Sequence, residues 1–192
     1  MQVTPILYNE RNAYLRISEA VLLLLPPQAQ QVVTLCIGTD RVTGDAYGPL
    51  VGTFLQGFGL KPLGTLEQPV HAGNLTDYVA KLGPESFVLA IDACLGSLNS
   101  IGQINFKHGS LVPGAGVGKK LDSVGDASIT MTVNVAGFME NLVLANTRLA
   151  LVYAGAQTTA LGIYRALSIR GLLPPRGKYA RERLEGPVSL SR

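Results

Sequence analysis

Three observations predict an α/β fold, a three-layer αβα sandwich around a mostly parallel sheet with a mixed edge. Apolar β-branched runs recur at 31–37, 86–93 and 127–135, which suits strands buried on both faces. Helix-period segments fall between and after them. The glycines and prolines sit where the pattern changes from one period to the other. Strand–helix alternation of this kind places helices on the faces of a parallel sheet.

The 192 residues are expected to form a single domain with a core over about 30–168, preceded by a helix at 9–24 and followed by a basic tail, 170–192. Tyr14, Ile17, Val21 and Leu24 share one helical face, and Pro26-Pro27 ends the helix. "QVVTLCI" (31–37) is the first buried strand. "GPLVGTFLQGFG" follows as a helix with Pro49 in its first turn and Gly57 or Gly59 near its end. "PLGTLEQPVHAGN" is a short strand and loop. "NLTDYVAKLG" is a helix with Asn74 or Thr76 as cap and Gly83 as stop. "SFVLAIDA" (86–93) is the second buried strand. "GQINFK" (102–107) alternates and is read as a strand antiparallel to its neighbour. "GSLVPGAGVGKK" is a loop, and "ASITMTVNV" (127–135) is a further strand. "NTRLALVYAGAQTTALGIYRALS" (146–168) is a long helix, apolar on much of its surface.

The totals exclude several classes. Hydrophobic residues make up 47% and charged residues 15%, against a usual charged share of about 25%. Much of the chain is therefore buried, in a core or an interface, and the long apolar helix suggests a homo-oligomer. A net charge of +3 is too small to argue for nucleic acid, and the basic residues crowded at the end read as a solvated tail. The apolar run ending at Leu25 is far shorter than the ~20 residues of a membrane span. No secretory leader pattern opens the sequence, and Cys36 and Cys94 lie in apolar runs without a disulfide framework, so a reducing cytoplasm is expected.

In parallel α/β sheets, ligands bind outside the carboxyl ends of the strands. Two such ends carry acids. Strand 31–37 delivers Asp40 and Asp45, and strand 86–91 delivers Asp92. If the strands are neighbours, Asp45 and Asp92 converge on one crevice. Each has a plainer reading: Asp45 as a helix cap, Asp92 as a structural hydrogen-bond partner. Paired carboxylates can share a proton for acid–base hydrolysis, or a divalent cation can neutralise both. Asp40 is a third carboxylate or, by the turn chemistry of its loop, an Asx-turn residue. His71, in "PVHAGN", completes an N/O metal set with Asp45 and Asp92, or is structural. His108 beside Lys107 reads as solvated. Cys94, two residues after Asp92, would need His71 as its base to act as a nucleophile.

"PGAGVGKK" (113–120) fails as a P-loop, because Lys120 stands where Ser or Thr should bind magnesium. Gly114, Gly116 and Gly118 still allow a backbone anion nest for substrate, with Lys119 and Lys120 holding a carboxylate or positioning the substrate.

"CIGTDRVTGDAYGPLVG", "LGTLEQPVHAGNL", "AIDACLGSLNSIGQI", "LVPGAGVGKKL" and "VGDASITMTVNVAGFMENLVLANTRLALV" together resemble the sporulation protein family named for YyaC, over about 30–165. That family is similar in fold to the germination protease and to the hydrogenase maturation endopeptidases. "TGDAYGP" resembles the germination-protease pattern "TPDALGP", "AIDAC" resembles "AIDAL", and "PGAGVGKK" resembles "PGSGVGNK". The resemblance implies a hydrolase-like αβα fold and an aspartate-dependent endopeptidase of sporulation or germination, with Asp45 and Asp92 catalytic, acting on a protein or peptide in the forespore or spore core. The hydrogenase group has metal-binding acids at the Asp45 and Asp92 positions and a later histidine that this chain lacks. Two rival expectations are a catalytically inactive spore protein that binds a partner through the same crevice, and a divalent-metal-binding protein.

Overall fold

A computed structural model describes residues 3–113 and 122–174. Its five-stranded sheet runs β1 (Ile6–Leu7), β4 (Gln103–His108), β5 (Ala127–Val135), β3 (Phe87–Gly96), β2 (Val32–Cys36) across the sheet. The β2–β3 and β3–β5 pairs are parallel; β4 is antiparallel to both β5 and β1. The sheet is thus parallel at its centre with a mixed edge, as the runs of Val, Ile and Leu predict. The two-residue β1 is too short to carry a period and is invisible to pattern reading.

Alternation along the strands splits the core in two. Cys36, Leu89, Ile91, Ile129 and Met131 face helices α1 (Ala13–Leu24), α2 (Tyr47–Gly57) and α5 (Leu149–Ile169). Leu35, Ile37, Val88 and Ala90 face the short helix α3 (Leu75–Val79), through Leu75. The α3 layer is thin, and it is the face on which the even-numbered residues of β3 emerge.

Several boundaries differ from expectation. The first helix starts at Ala13, because Asn12 takes a left-handed conformation at φ 62°. The expected 74–83 helix shrinks to Leu75–Val79, and Asn74 makes no side-chain cap; its Oδ1 instead accepts the His71 N–H at 2.8 Å. The expected 146–168 helix begins at Leu149, after a separate short helix α4 (Glu140–Ala145). The inner face of α5 is packed within the chain, while Leu149, Tyr153, Leu161 and Ile169 stay exposed along it. A Cβ on Gly155 would lie 2.3 Å from Met131 Sδ, and one on Gly162 2.4 Å from Ile17 Cγ2, so small residues let the helix sit directly on the sheet and on α1. Among the described residues no helix is long and apolar enough to cross a membrane.

Candidate functional site

The site grows from the end of β2. At the end of β2 the 63–70 segment adds single parallel rungs on the outer edge: Leu35 bridges Leu63, and Ile37, just past the strand, bridges Val70. Gly38 then turns the chain at φ +138°, where a Cβ would lie 2.0 Å from the Asp45 carbonyl oxygen. Thr39 N–H donates to that same carbonyl at 3.2 Å. The loop therefore closes on itself and delivers Asp45 within a 3-10 turn, Gly44–Ala46, that runs straight into α2. Neither the turn nor α2 has a side-chain cap, so capping is not the work of Asp45.

On the neighbouring strand Asp92 stands opposite Thr130 of β5. It is 6% exposed, and its Oδ1 accepts the Ala93 N–H at 2.8 Å. Asp45, Asp92 and His71 line one cavity of ≈ 660 Å³ at the carboxyl ends of the parallel strands. The walls are largely apolar, with Ile37, Val42, Leu95, Leu111 and Leu144 among them. The far wall comes from α4, which the sequence reading missed: Glu140, Asn141 and Leu144 line it. A Cβ on Gly44 would meet Leu144 Cδ2 at 2.8 Å and Thr147 Oγ1 at 2.9 Å, so the Asp45 turn is packed against α4. The signal missed was Glu140 in the first turn of a helix. It was hidden because Met139, left-handed at φ 57°, occupies the cap position in place of a Ser, Thr or Asp.

Burial raises the Asp45 pKa above the ordinary 3.8; the Thr39 backbone hydrogen bond and the charge of His71 pull the other way. Burial also raises the Cys94 thiol, opposed by hydrogen bonds from Thr132 and Thr130 and reinforced by the charge of Asp92. Both effects of burial and charge disfavour the thiolate that a nucleophile needs. The raised Asp45 pKa has a stability consequence. Between 3.8 and the higher folded value, the folded chain holds a proton that the unfolded chain releases. Stability from this group is therefore complete below 3.8 and is lost as pH rises through the folded pKa. Asp45→Asn is expected to raise the melting temperature at pH 7, with the gain vanishing below the ordinary 3.8. Equal gains at both pH values in thermal denaturation would remove this reading of Asp45.

A family model described as a protein of unknown function, DUF1256, matches residues 5–162. The chain belongs to that family. The DUF1256 match begins at residue 5 and so takes in the N-terminal helix, which the sequence reading placed outside the conserved region; α1 is in fact part of the core. An uncharacterized protein of Bacillus subtilis (strain 168), YyaC, is 50% identical over 138 residues, covering 69% of this chain and 67% of YyaC. Among solved structures, a [NiFe] hydrogenase maturation protease, HycI from Thermococcus kodakarensis KOD1, superposes with a TM-score of 0.49 at 18% identity, covering 80% of this chain and 97% of HycI.

In this DUF1256 chain the remaining predicted residues divide as follows. Asp40 is exposed and outside the cavity lining, and the local turn is made by Thr39, whose Oγ1 accepts the Arg41 N–H at 3.3 Å. His108 is exposed at the end of β4, as expected. Gly114, Gly116, Gly118, Lys119 and Lys120 lie outside the described residues, as does the tail from 175 onward. Among the described residues no three His, Cys, Asp or Glu side chains come together to hold a metal ion. The Asp45, Asp92 and His71 set therefore does not fit a three-ligand centre, although all three line one cavity.

Proposed function

We propose that this chain is an endopeptidase in which Asp45 and Asp92 hydrolyse a peptide bond of a protein substrate. The observation that supports it most is the arrival of both carboxylates, from adjacent parallel strands, in one cavity large enough for a peptide segment. Asp45, whose half-buried carboxyl resists ionisation, is the acid. Asp92 is the base. Asp92 takes a proton from water as the water oxygen adds to the carbonyl carbon. Asp45 gives its proton to the amide nitrogen as the C–N bond breaks.

The apolar walls favour an extended segment carrying aliphatic or aromatic residues. Phe138 is 89% exposed, Met139 57% and Leu142 53%, just before α4 or within it, in the stretch of chain that supplies one wall. The family resemblance points to a protein of sporulation or germination as substrate, in the forespore or spore core. The test is digestion of a spore protein extract across about pH 4–8, the range over which a carboxylate pair exchanges acid and base roles, with and without a chelator. Discrete fragments from the wild type that disappear in Asp45→Asn are expected. An uncut extract that nonetheless retains one protein bound to the folded chain would replace hydrolysis by partner binding through the same crevice.

A further inference from the structure

We propose that His71 is a positioning residue for Asp45: a locked Nε2–H donor at the mouth of the crevice, and not a metal ligand. Its placement follows from backbone pairing. Val70, the residue before it, is fully buried, bridges Ile37 and accepts the Gly38 N–H at 2.8 Å. Ile37 and Gly38 are also the residues that lead into the Asp45 turn. His71 and Asp45 therefore hang from the same rung of the sheet.

The ring is then fixed by its own turn. The His71 N–H donates to Asn74 Oδ1 at 2.8 Å, and Asn74 Nδ2 donates to the Pro69 carbonyl at 3.1 Å. The His71 carbonyl accepts the N–H groups of Asn74 and Leu75, both at 3.0 Å. Gly73 N–H donates to Nδ1 at 3.1 Å. A nitrogen that accepts a hydrogen bond carries no proton, so the neutral ring holds its proton on Nε2. Gly73 also makes room for the ring: a Cβ there would lie 3.1 Å from Cε1 and 3.2 Å from Nδ1. Ligation of a metal through Nε2 would require the proton to move to Nδ1, which would break the Gly73 bond.

A donor on Nε2 suits the chemistry assigned to Asp45. Both side chains line the cavity. In this use the Nε2–H donates to one carboxyl oxygen of Asp45 once substrate fills the crevice, and leaves the proton on the other oxygen for the leaving nitrogen. This use rests on the acid role of Asp45 proposed above. The locked tautomer does not, and the two can fail separately.

The first measurement is a long-range 1H–15N correlation spectrum of histidine-labelled protein at about pH 8, where a histidine is neutral. The chain has two histidines, both exposed, and His108 at the end of β4 is the internal comparison. A His71 signal held in the Nε2–H form is expected; an Nδ1–H form, or averaging between the two, overturns the proposal. The second measurement uses the hydrolysis assay. Gln can place an amide N–H near the Nε2 position, whereas Asn reaches only the Nδ1 position. His71→Ala and His71→Asn are expected to lose roughly 10–100-fold in kcat with KM little changed, the scale for loss of one oriented donor. His71→Gln should recover most of that loss, and Gly73→Ala should resemble His71→Ala by displacing the ring. Matched melting temperatures exclude unfolding as the cause. Gln no better than Ala, or a wild-type rate abolished by a chelator, overturns the positioning role. A wild type that cuts nothing removes the peptidase reading and this use of His71 with it, while the spectrum still decides the tautomer.

Discussion

Asp92→Asn is expected to lower the proposed hydrolysis by roughly a hundred- to ten-thousand-fold, the range contributed by one general base, and to leave the fold intact. The side chain is 6% exposed on the strand next to β2, so little solvent can substitute for it as proton acceptor. Asn keeps the shape and keeps an Oδ1 that can accept the Ala93 N–H, a bond of 2.8 Å in the native chain. What it loses is basicity. An amide cannot take the proton from water at neutral pH, so the addition step stalls while substrate still binds. The split is expected in kcat, with KM nearly unchanged. Melting temperature and far-UV dichroism of the variant should match the wild type. A variant that cuts at the native rate would show that Asp92 is structural, and would leave Asp45 without a partner in the reaction.

The largest expected loss of stability comes from Gly52→Ala. Three backbone segments are stacked at this point. Gly64, left-handed at φ +89°, has no room for a Cβ, which would lie 1.9 Å from the Cys36 carbonyl oxygen. A Cβ on Gly52 would lie 1.8 Å from the Gly64 carbonyl oxygen and 3.3 Å from Cys36 Cβ. The carbonyl oxygen is a backbone atom and the Cβ is fixed to the backbone, so neither can rotate away. A methyl group must push α2 from the sheet, and α2 carries Tyr47, Val51 and Leu55 into the core. Overpacking of this kind costs about 3 kcal/mol or more, which for a chain of this size is a fall in melting temperature on the order of 10 °C. Because α2 begins directly after the Asp45 turn, activity should fall with it. Gly57→Ala in the same helix is the control. Nothing lies within 4 Å of a Cβ there, so the helix propensity of Ala should raise stability by about 0.5–1 kcal/mol. A Gly52→Ala protein melting within a degree or two of the wild type would mean that α2 is not clamped to the 63–70 segment.

The sheet and the acids were legible in the sequence for a local reason. Strands at 31–37, 86–93 and 127–135 announce themselves by uninterrupted β-branched and aliphatic runs, and acids that follow such runs are expected at the crevice end of a parallel sheet, although β3 continues past Asp92 to Gly96. Asp45 and Asp92 needed no more than that, together with the assumption that their strands were neighbours, which the β2–β3 register bears out. What depended on distant contacts was not legible. Glu140 joins the crevice because Gly44 lets the Asp45 turn press on Leu144, a contact across about a hundred residues that leaves no periodic trace. Asp40 drops out although it is nearer to β2 than Asp45, because the loop folds back through Gly38 and turns Asp40 outward.

His71 shows the division most clearly. Its residue type could be read as a metal ligand, a base or a structural group, since all three use the same imidazole. The sequence by itself placed a histidine in the loop that follows the short strand of "PLGTLEQPVHAGN". Only the tertiary structure decided which of its nitrogens is free to act. That choice is made by a backbone N–H two residues away, at Gly73, and by a sheet rung between Ile37 and Val70, more than thirty residues apart in the chain.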